Sequence, residues 1–274
     1  MNVPKQKSPL RTVLIVLAAV VGFLVLIAAA GVAWVMFRPV NSGDFSSATS
    51  DWETAVQPLD EIETLHSQVT DLTKTPDPAQ QQMAIDQQHE KLDALDTSLD
   101  EFGSKRALKD EGYRAAYDTV VASYDDKLKP MATDYVDNYP TMVALEQACL
   151  AYDKVSGSTT ITKEMGVAWF DEQIADCEKA VTDAAGSTSW GPYVQARKAS
   201  IDDTRAAFAA AEKALKSNDE RGYQKAVLQA YQHNNDARRK QSEGLQATAD
   251  QNNAIFTEFR AQVDAVTAYG TERS

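Results

Sequence analysis

The sequence predicts an all-α protein in which a single N-terminal transmembrane helix precedes an elongated antiparallel helical bundle with coiled-coil-like packing. Residues 12–37 form an apolar run that contains no charged residue. Beyond this run, apolar residues recur every three or four positions with almost no strict alternation, which is the pattern of amphipathic helices. Only 12 glycines and 9 prolines are spread over 274 residues, so few turns are expected.

The apolar run is long enough to cross a lipid bilayer. A spanning helix needs roughly 20 apolar residues, because each adds about 1.5 Å across a hydrocarbon core of about 30 Å. Three basic residues precede the run and Arg38 follows it, and basic flanks stay on the cytoplasmic side. We therefore expect residues 1–11 to be cytoplasmic, residues 12–37 to be a signal anchor in the cell membrane, and the C-terminal region to be extracellular.

Two alternatives apply to this segment. It could be a signal peptide cleaved near Ala30 or Ala33, although the apolar core of such peptides is only about 7–15 residues long. Small residues on one face could also pair two copies of the helix, as such faces allow close approach in lipid, or they could reflect the ordinary composition of membrane helices. The face consists of Ala18, Gly22, Ala29 and Ala33.

Charge separates the two parts of the chain. The formal net charge is −13, and residues 1–43 hold four basic residues and no acidic one. The remainder therefore carries 40 acidic against 23 basic residues. So acidic a region should be repelled by nucleic acid, which we do not expect as a partner.

The region after the membrane segment divides into a polar tether over residues 38–50 and a helical-bundle domain over residues 51–270. A Gly- and Ser-containing turn at residues 186–192 is a candidate subdivision point. Helices are expected at about 50–73, 77–102, 105–137 with a kink at Pro130, 140–155, 165–185, 193–216 and 219–269. Within the last, the polar stretch 232–243 is either a break or part of one long helix.

Heptad spacing supports coiled-coil-like packing in two of these helices. Ile85, Leu92 and Leu99 are seven residues apart, and a later helix repeats the pattern from Val194 to Leu215. Polar residues also fall at seam positions, where they either fix helix register or form a polar ligand site. They are Gln88, Asn234 and Gln241.

Cys149 and Cys177 are the only cysteines, and each lies on the apolar face of a predicted helix. Neighbouring antiparallel helices would bring them together, and the oxidising exterior favours a disulfide. Closing such a loop should stabilise the fold by about 3–4 kcal/mol.

Tyrosines cluster along the third predicted helix. They either line a ligand pocket between helices, which would have aromatic walls and a few polar groups, or fill the core with their hydroxyl groups reaching the surface. The candidate pocket residues are Tyr113, Tyr117, Tyr124 and Tyr135.

No motif for catalysis, metal binding or cofactor binding is present in the sequence. His66, His89 and His233 lie on different predicted helices without metal-ligand spacing. Nucleophile elbows, phosphate-binding glycine loops and calcium loops are missing, and no N-x-S/T glycosylation site occurs, which favours a bacterial surface.

The sequence therefore favours a non-enzymatic function without a cofactor or a metal. We expect a membrane-anchored, extracytoplasmic interaction or scaffold module of a bacterial cell envelope, with a protein partner there. A sensor-like ectodomain that binds a small ligand or peptide in the tyrosine-lined pocket is the alternative.

Overall fold

The computed structural model of the chain describes residues 38–68, 77–153 and 162–274. In these ranges the protein is a helical bundle without strands. No helix in them is both long and apolar enough to cross a membrane. The predicted membrane helix at residues 12–37, with its small-residue face at Ala18, Gly22, Ala29 and Ala33, lies outside the described residues.

The described part of the chain contains nine α-helices of defined bounds. A 3₁₀ turn at Arg106–Lys109 precedes the fourth, and a π-helical turn at Tyr124–Leu128 joins the fourth to the fifth. The helices are α1 (Ser42–Ala55), α2 (Pro58–Gln68), α3 (Pro78–Phe102), α4 (Glu111–Ser123), α5 (Lys129–Asp137), α6 (Tyr139–Ala148), α7 (Val167–Ala184), α8 (Gly191–Lys216) and α9 (Glu220–Glu272).

Helix α1 corrects the predicted tether. Asn41 and Asp44 form a capping box, in which each side chain accepts a hydrogen bond from the backbone N–H of the other residue. Phe45 and Trp52 are then buried on one face of the helix. The prediction of a tether is therefore wrong from Ser42 onward, because this polar stretch carries both a helix start and an apolar face.

Proline positions account for two further differences. The first predicted helix is broken after Ala55, since Pro58 opens α2 and its ring cannot continue a helix from the preceding turn. The predicted kink at Pro130 takes the form of the π-helical turn just before it. Proline has no backbone N–H to donate to the preceding turn, and both proline and π turns are usual causes of helix kinks.

Helix α9 has 53 residues and is unbroken, so it is about 80 Å long at 1.5 Å per residue. The polar stretch 232–243 is helical throughout. Its polar side chains find partners on neighbouring helices: Lys240 pairs with Asp203 of α8 and Gln241 donates to Glu146 of α6. The stretch is thus part of one long helix.

Two main hydrophobic cores lie one after the other along α9. The first core contains residues of α1 to α5 and the segment of α9 from Phe256 to Val266. The second contains residues of α5 to α8 and Ala237 of α9. We call the level between them the waist, defined by His66, Tyr135, Trp190, Thr248 and Asn252.

The two ends of the bundle differ in what they contain. At one end, the Trp52 indole N–H donates to the carbonyl oxygen of Val263, so the start of the described chain lies beside the end of α9. We call this the proximal end. The turn at residues 217–219 between α8 and α9 lies at the other, distal end, above a small third cluster of Ala211, Ala214, Tyr223 and Ala226.

Candidate functional site

Three of the four tyrosines proposed as pocket residues lie in the first core. Tyr113, Tyr117 and Tyr124 are buried there. The Tyr117 hydroxyl donates to the carbonyl oxygen of Leu99 at 2.8 Å, and that of Tyr124 to the carbonyl oxygen of Leu92 at 2.6 Å. Both hydroxyl groups thus join α4 and the π turn to α3, as expected of core tyrosines.

Tyr135 lies apart from these three, at the waist. The Tyr135 ring is stacked on the Trp190 ring, with 4.3 Å between their centroids. The centroid of the His66 ring lies 3.9 Å from that of Tyr135. The Trp190 indole N–H donates to the carbonyl oxygen of Tyr135 at 2.9 Å. The structure therefore brings α2, α5 and the turn before α8 together through three rings.

His66 is buried within this aromatic group, with 7% of its surface exposed. Burial disfavours the charged imidazolium and lowers the pKa of His66 to about 4. Its Nδ1 atom is buried and has no hydrogen-bond partner among the described residues. His66 is therefore neutral at pH 7.

A cleft of about 480 Å³ opens at the waist beside His66 and Tyr135. Its volume lies in the range of about 300–1,000 Å³ that is usual for small-molecule sites. Phe256 adds an aromatic ring, 5.1 Å from that of His66. The other residues that line the cleft are Glu63, Ser67, Ala249, Asn253, Thr257 and Arg260.

Arg260 at the cleft is held by two carboxylates of α2. Its Nε and Nη2 atoms donate to the two oxygens of Glu63 at 2.7 and 2.8 Å, and Nη2 also donates to Asp60. These hydrogen bonds raise the pKa of Arg260. Glu63 and Arg260 are the charged side chains that line the cleft. Asp60 does not line it, but with these two residues it forms a group whose net charge is about −1.

A turn at residues 187–189 closes the other side of the waist. Asp134 of α5 accepts hydrogen bonds from the Ser187 hydroxyl at 2.8 Å and from the Ser189 backbone N–H at 2.7 Å. Asn252 of α9 donates to the carbonyl oxygen of Ser189 at 3.5 Å. The stretch proposed as a subdivision point is thus attached to helices on both sides.

Some of the buried polar side-chain atoms without a hydrogen-bond partner in the described ranges lie near this level. They include Nδ1 of His66, both polar side-chain atoms of Gln88 and Oδ1 of Asn252. Gln88 lies near this level because its neighbour His89 pairs with Asp137, two residues beyond Tyr135.

Of the other polar residues at predicted seam positions, Gln241 contacts Glu146, and the side chain of Asn234 lies outside the described part.

The disulfide between Cys149 and Cys177 is present and joins α7 to the end of α6, with 4.5 Å between the Cα atoms. Both residues are buried in the second core. The predicted pairing is therefore confirmed.

Sequence reasoning missed a buried ionic group next to this disulfide. Arg197 is 1% exposed and pairs with Glu146 and Asp153, and Gln241 donates to Glu146 at 2.8 Å. Burial raises the pKa of the Glu146 carboxyl, and the charge of Arg197 opposes that rise. The position of Arg197 in the sequence could have indicated this group. Arg197 lies three residues after the seam residue Val194, where a second apolar seam residue is expected.

Metal-ligating residues are dispersed in the part of the chain that the structure describes, where no group of three or more His, Cys, Asp or Glu side chains could hold a metal ion. His89 and His233 lie on α3 and α9, and neither ring belongs to the aromatic group that contains His66.

Comparison with known proteins finds no similar protein from which a function could be inferred. The sequence matches no protein-family model, and searches of curated proteins and of solved structures find no match.

Proposed function

We propose that the protein is a membrane-anchored, extracytoplasmic scaffold of a bacterial cell envelope that contacts a protein partner and performs no catalysis. The unbroken helix α9 carries this proposal. It runs from the distal turn to the proximal end, beside the point where the described chain begins. An anchor at residues 12–37 would then hold the proximal end at the membrane and place the turn at 217–219 some tens of Å away.

Packing of the bundle supports a role as a stiff spacer. Helices α8 and α9 pack along their shared length, where Gly244 lies against Tyr193 and Ala196. The disulfide and the ionic group at Arg197 add links between α6, α7 and α8. Such links favour a single arrangement of the distal half, which suits a contact surface held at a distance from lipid.

Leu228 offers a position at which to test for a partner. It lies near the start of α9, close to the distal turn, and 64% of its surface is exposed, so a photoreactive side chain there would face solvent. We expect p-benzoylphenylalanine at Leu228 to form an adduct of defined mass in intact cells on irradiation. The same photoreactive residue at Thr119, an exposed position of α4 in the proximal half, should not.

Adducts at both positions, or only adducts between copies of the chain, would contradict a distal partner. The anchor is tested separately by fractionation. The mature chain should remain with membranes after carbonate washing, and its C-terminal part should be digested by protease added to spheroplasts. A chain trimmed near Ala30 or Ala33 and free in the medium would contradict the anchor.

Binding of a small ligand by the extracytoplasmic domain is the second candidate function. The cleft at the waist favours it, since this cleft combines aromatic rings with a few polar groups, as ligand sites do. In this second candidate function, Tyr135 contributes to the ligand site, and Tyr113, Tyr117 and Tyr124 stabilise the fold. A ligand that raises the melting temperature of the wild-type protein but not of a His66→Leu variant would support it.

A further inference from the structure

The polar groups of the cleft define what a ligand must offer. Thr257 donates its hydroxyl hydrogen to the carbonyl oxygen of Asn253 at 2.8 Å, so the remaining capacity of its Oγ1 atom is that of an acceptor. Each oxygen of Glu63 accepts one hydrogen bond from Arg260 and can accept another. Both residues therefore favour a ligand that donates hydrogen bonds.

The charged side chains at the cleft also favour a ligand that donates hydrogen bonds. Asp60 and Glu63 are both held beside Arg260, and the Nε and Nη2 atoms of Arg260 are already committed to them. His66 is buried and neutral at pH 7, so it adds no positive charge to the cleft. An anionic ligand would meet the Glu63 carboxylate and an arginine whose Nε and Nη2 atoms are already paired. A cation would balance the net negative charge of Asp60, Glu63 and Arg260 taken together.

The apolar part of the cleft is aromatic. Both faces of the Tyr135 ring are covered, one by Trp190 and one by His66, so Tyr135 contributes its edge to the cleft. Phe256 and His66 present ring surface that meets at an interplanar angle of 67°. Aromatic surface beside a carboxylate favours cations that carry a flat apolar body.

We propose that the waist cleft binds a small organic cation, in which an ammonium or amidinium group on a flat apolar body donates to Glu63 and Thr257 while the body packs against His66 and Phe256. This proposal rests on the second candidate function, ligand binding at the cleft, and adds the chemical class of the ligand. Binding by the described residues requires no metal and no covalent step.

The test measures binding of three matched probes to the full-length protein in detergent by isothermal titration calorimetry at pH 7. Benzamidine is a flat cation, benzamide is its neutral analogue and benzoate its anionic one. We expect saturable binding of one benzamidine per chain, at least tenfold weaker binding of benzamide, and no heat from benzoate. Loss of a charge-assisted hydrogen bond accounts for such a ratio.

Two charge variants on the same helix locate the site. Glu63→Gln should weaken benzamidine binding at least tenfold. Glu61→Gln, which removes a carboxylate that pairs with Lys91 on another face of α2, should leave it within about twofold. If the Glu63→Gln variant does not fold, Thr257→Val, a substitution at an exposed position, tests the site instead. We expect it to weaken benzamidine binding at least threefold.

Three results would overturn the proposal. The cleft would not be a cation site if the wild-type protein showed no saturable benzamidine binding. The same would follow if the Glu63→Gln and Glu61→Gln variants bound benzamidine equally. Tighter binding of benzamide or benzoate that is lost in His66→Leu would refute the ligand class while leaving ligand binding at the cleft intact.

Discussion

Arg197 donates from Nη2 to both carboxylate oxygens of Glu146, at 2.6 and 2.7 Å, although only 1% of the Arg197 side chain is exposed. Its Nη1 atom also donates to Asp153 at 3.0 Å. This ionic group joins α8 to α6 inside the second core. It is the one place in the described part of the chain where a basic side chain is this deeply buried.

Replacing Arg197 by methionine should destabilise the fold strongly. The apolar stem keeps most of the packing, but Glu146 is left buried without its positive partner, which costs about 3–5 kcal/mol when a buried pair is broken. Denaturant unfolding followed by circular dichroism measures this loss. Arg239→Met, at an exposed ion pair of α9, should unfold at the same denaturant concentration as the wild type. Equal effects of the two variants would show that burial of the Arg197 pair is unimportant.

Replacing Asp134 by alanine should loosen the turn at residues 187–189. The variant leaves the Ser189 N–H without its acceptor and removes the partner of the Ser187 hydroxyl, at a cost of about 2–3 kcal/mol. Faster hydrogen exchange at Ser189 is the specific sign. As a control on the same helix, Asp137→Ala removes only an exposed pair with His89 and should cost less than about 0.5 kcal/mol.

Replacing Gly244 by alanine should separate α8 from α9. A Cβ atom there would lie 2.7 Å from Cβ of Ala196 and 3.1 Å from Cα of Tyr193, and neither atom can rotate away. Overpacking of about 1–3 kcal/mol should outweigh the gain of about 1 kcal/mol in helix propensity. The melting temperature should therefore fall.

Gly186 provides the matched control for this variant. A Cβ atom added there meets nothing within 4 Å, so Gly186→Ala should leave stability unchanged or raise it by up to about 1 kcal/mol. A stable Gly244→Ala protein would mean that the two helices are farther apart than the structure has them.

Stability should fall as the pH drops from about 6.5 to about 4 because of His66. The pKa of His66 is lowered from 6.5 to about 4 in the folded protein, so the unfolded state binds its proton first. A shift of this size corresponds to about 3 kcal/mol, lost progressively through that window and constant below it.

Denaturant unfolding at a series of pH values measures this loss. The His66→Phe variant keeps a ring beside Tyr135 but cannot titrate, so its stability should depend less on pH over the same window. NMR titration of the His66 ring protons in the folded protein gives the pKa directly. A midpoint near 6.5 would contradict the prediction.

Reduction of the disulfide should cost about 3–4 kcal/mol, as expected for a loop closed by residues 28 apart in the sequence. The wild-type protein should melt at a lower temperature after treatment with a phosphine reductant. A variant with both Cys149→Ser and Cys177→Ser should melt at that lower temperature with or without reductant. Equal melting of oxidised and reduced wild-type protein would show that the disulfide adds no stability.

The sequence by itself determined the helical class, most helix boundaries and the disulfide. Apolar spacing and proline positions are local signals, and they place α3 at Pro78–Phe102 and α8 at Gly191–Lys216, within two residues of expectation. Cys149 and Cys177 could be paired because they are the only two cysteines and each lies on the apolar face of a predicted helix. The capping box at Asn41 was also readable, but the polar composition around it concealed α1.

Only the tertiary structure decided where the polar side chains meet. His66, Tyr135, Trp190 and Arg260 come from four distant parts of the chain, and their contacts depend on how α2, α5 and α9 pack against one another. The same packing buries Arg197 and continues α9 through residues 232–243, because partners on other helices satisfy polar groups that look solvated in sequence. Periodicity specifies which face of a helix is buried, but not which neighbour covers it.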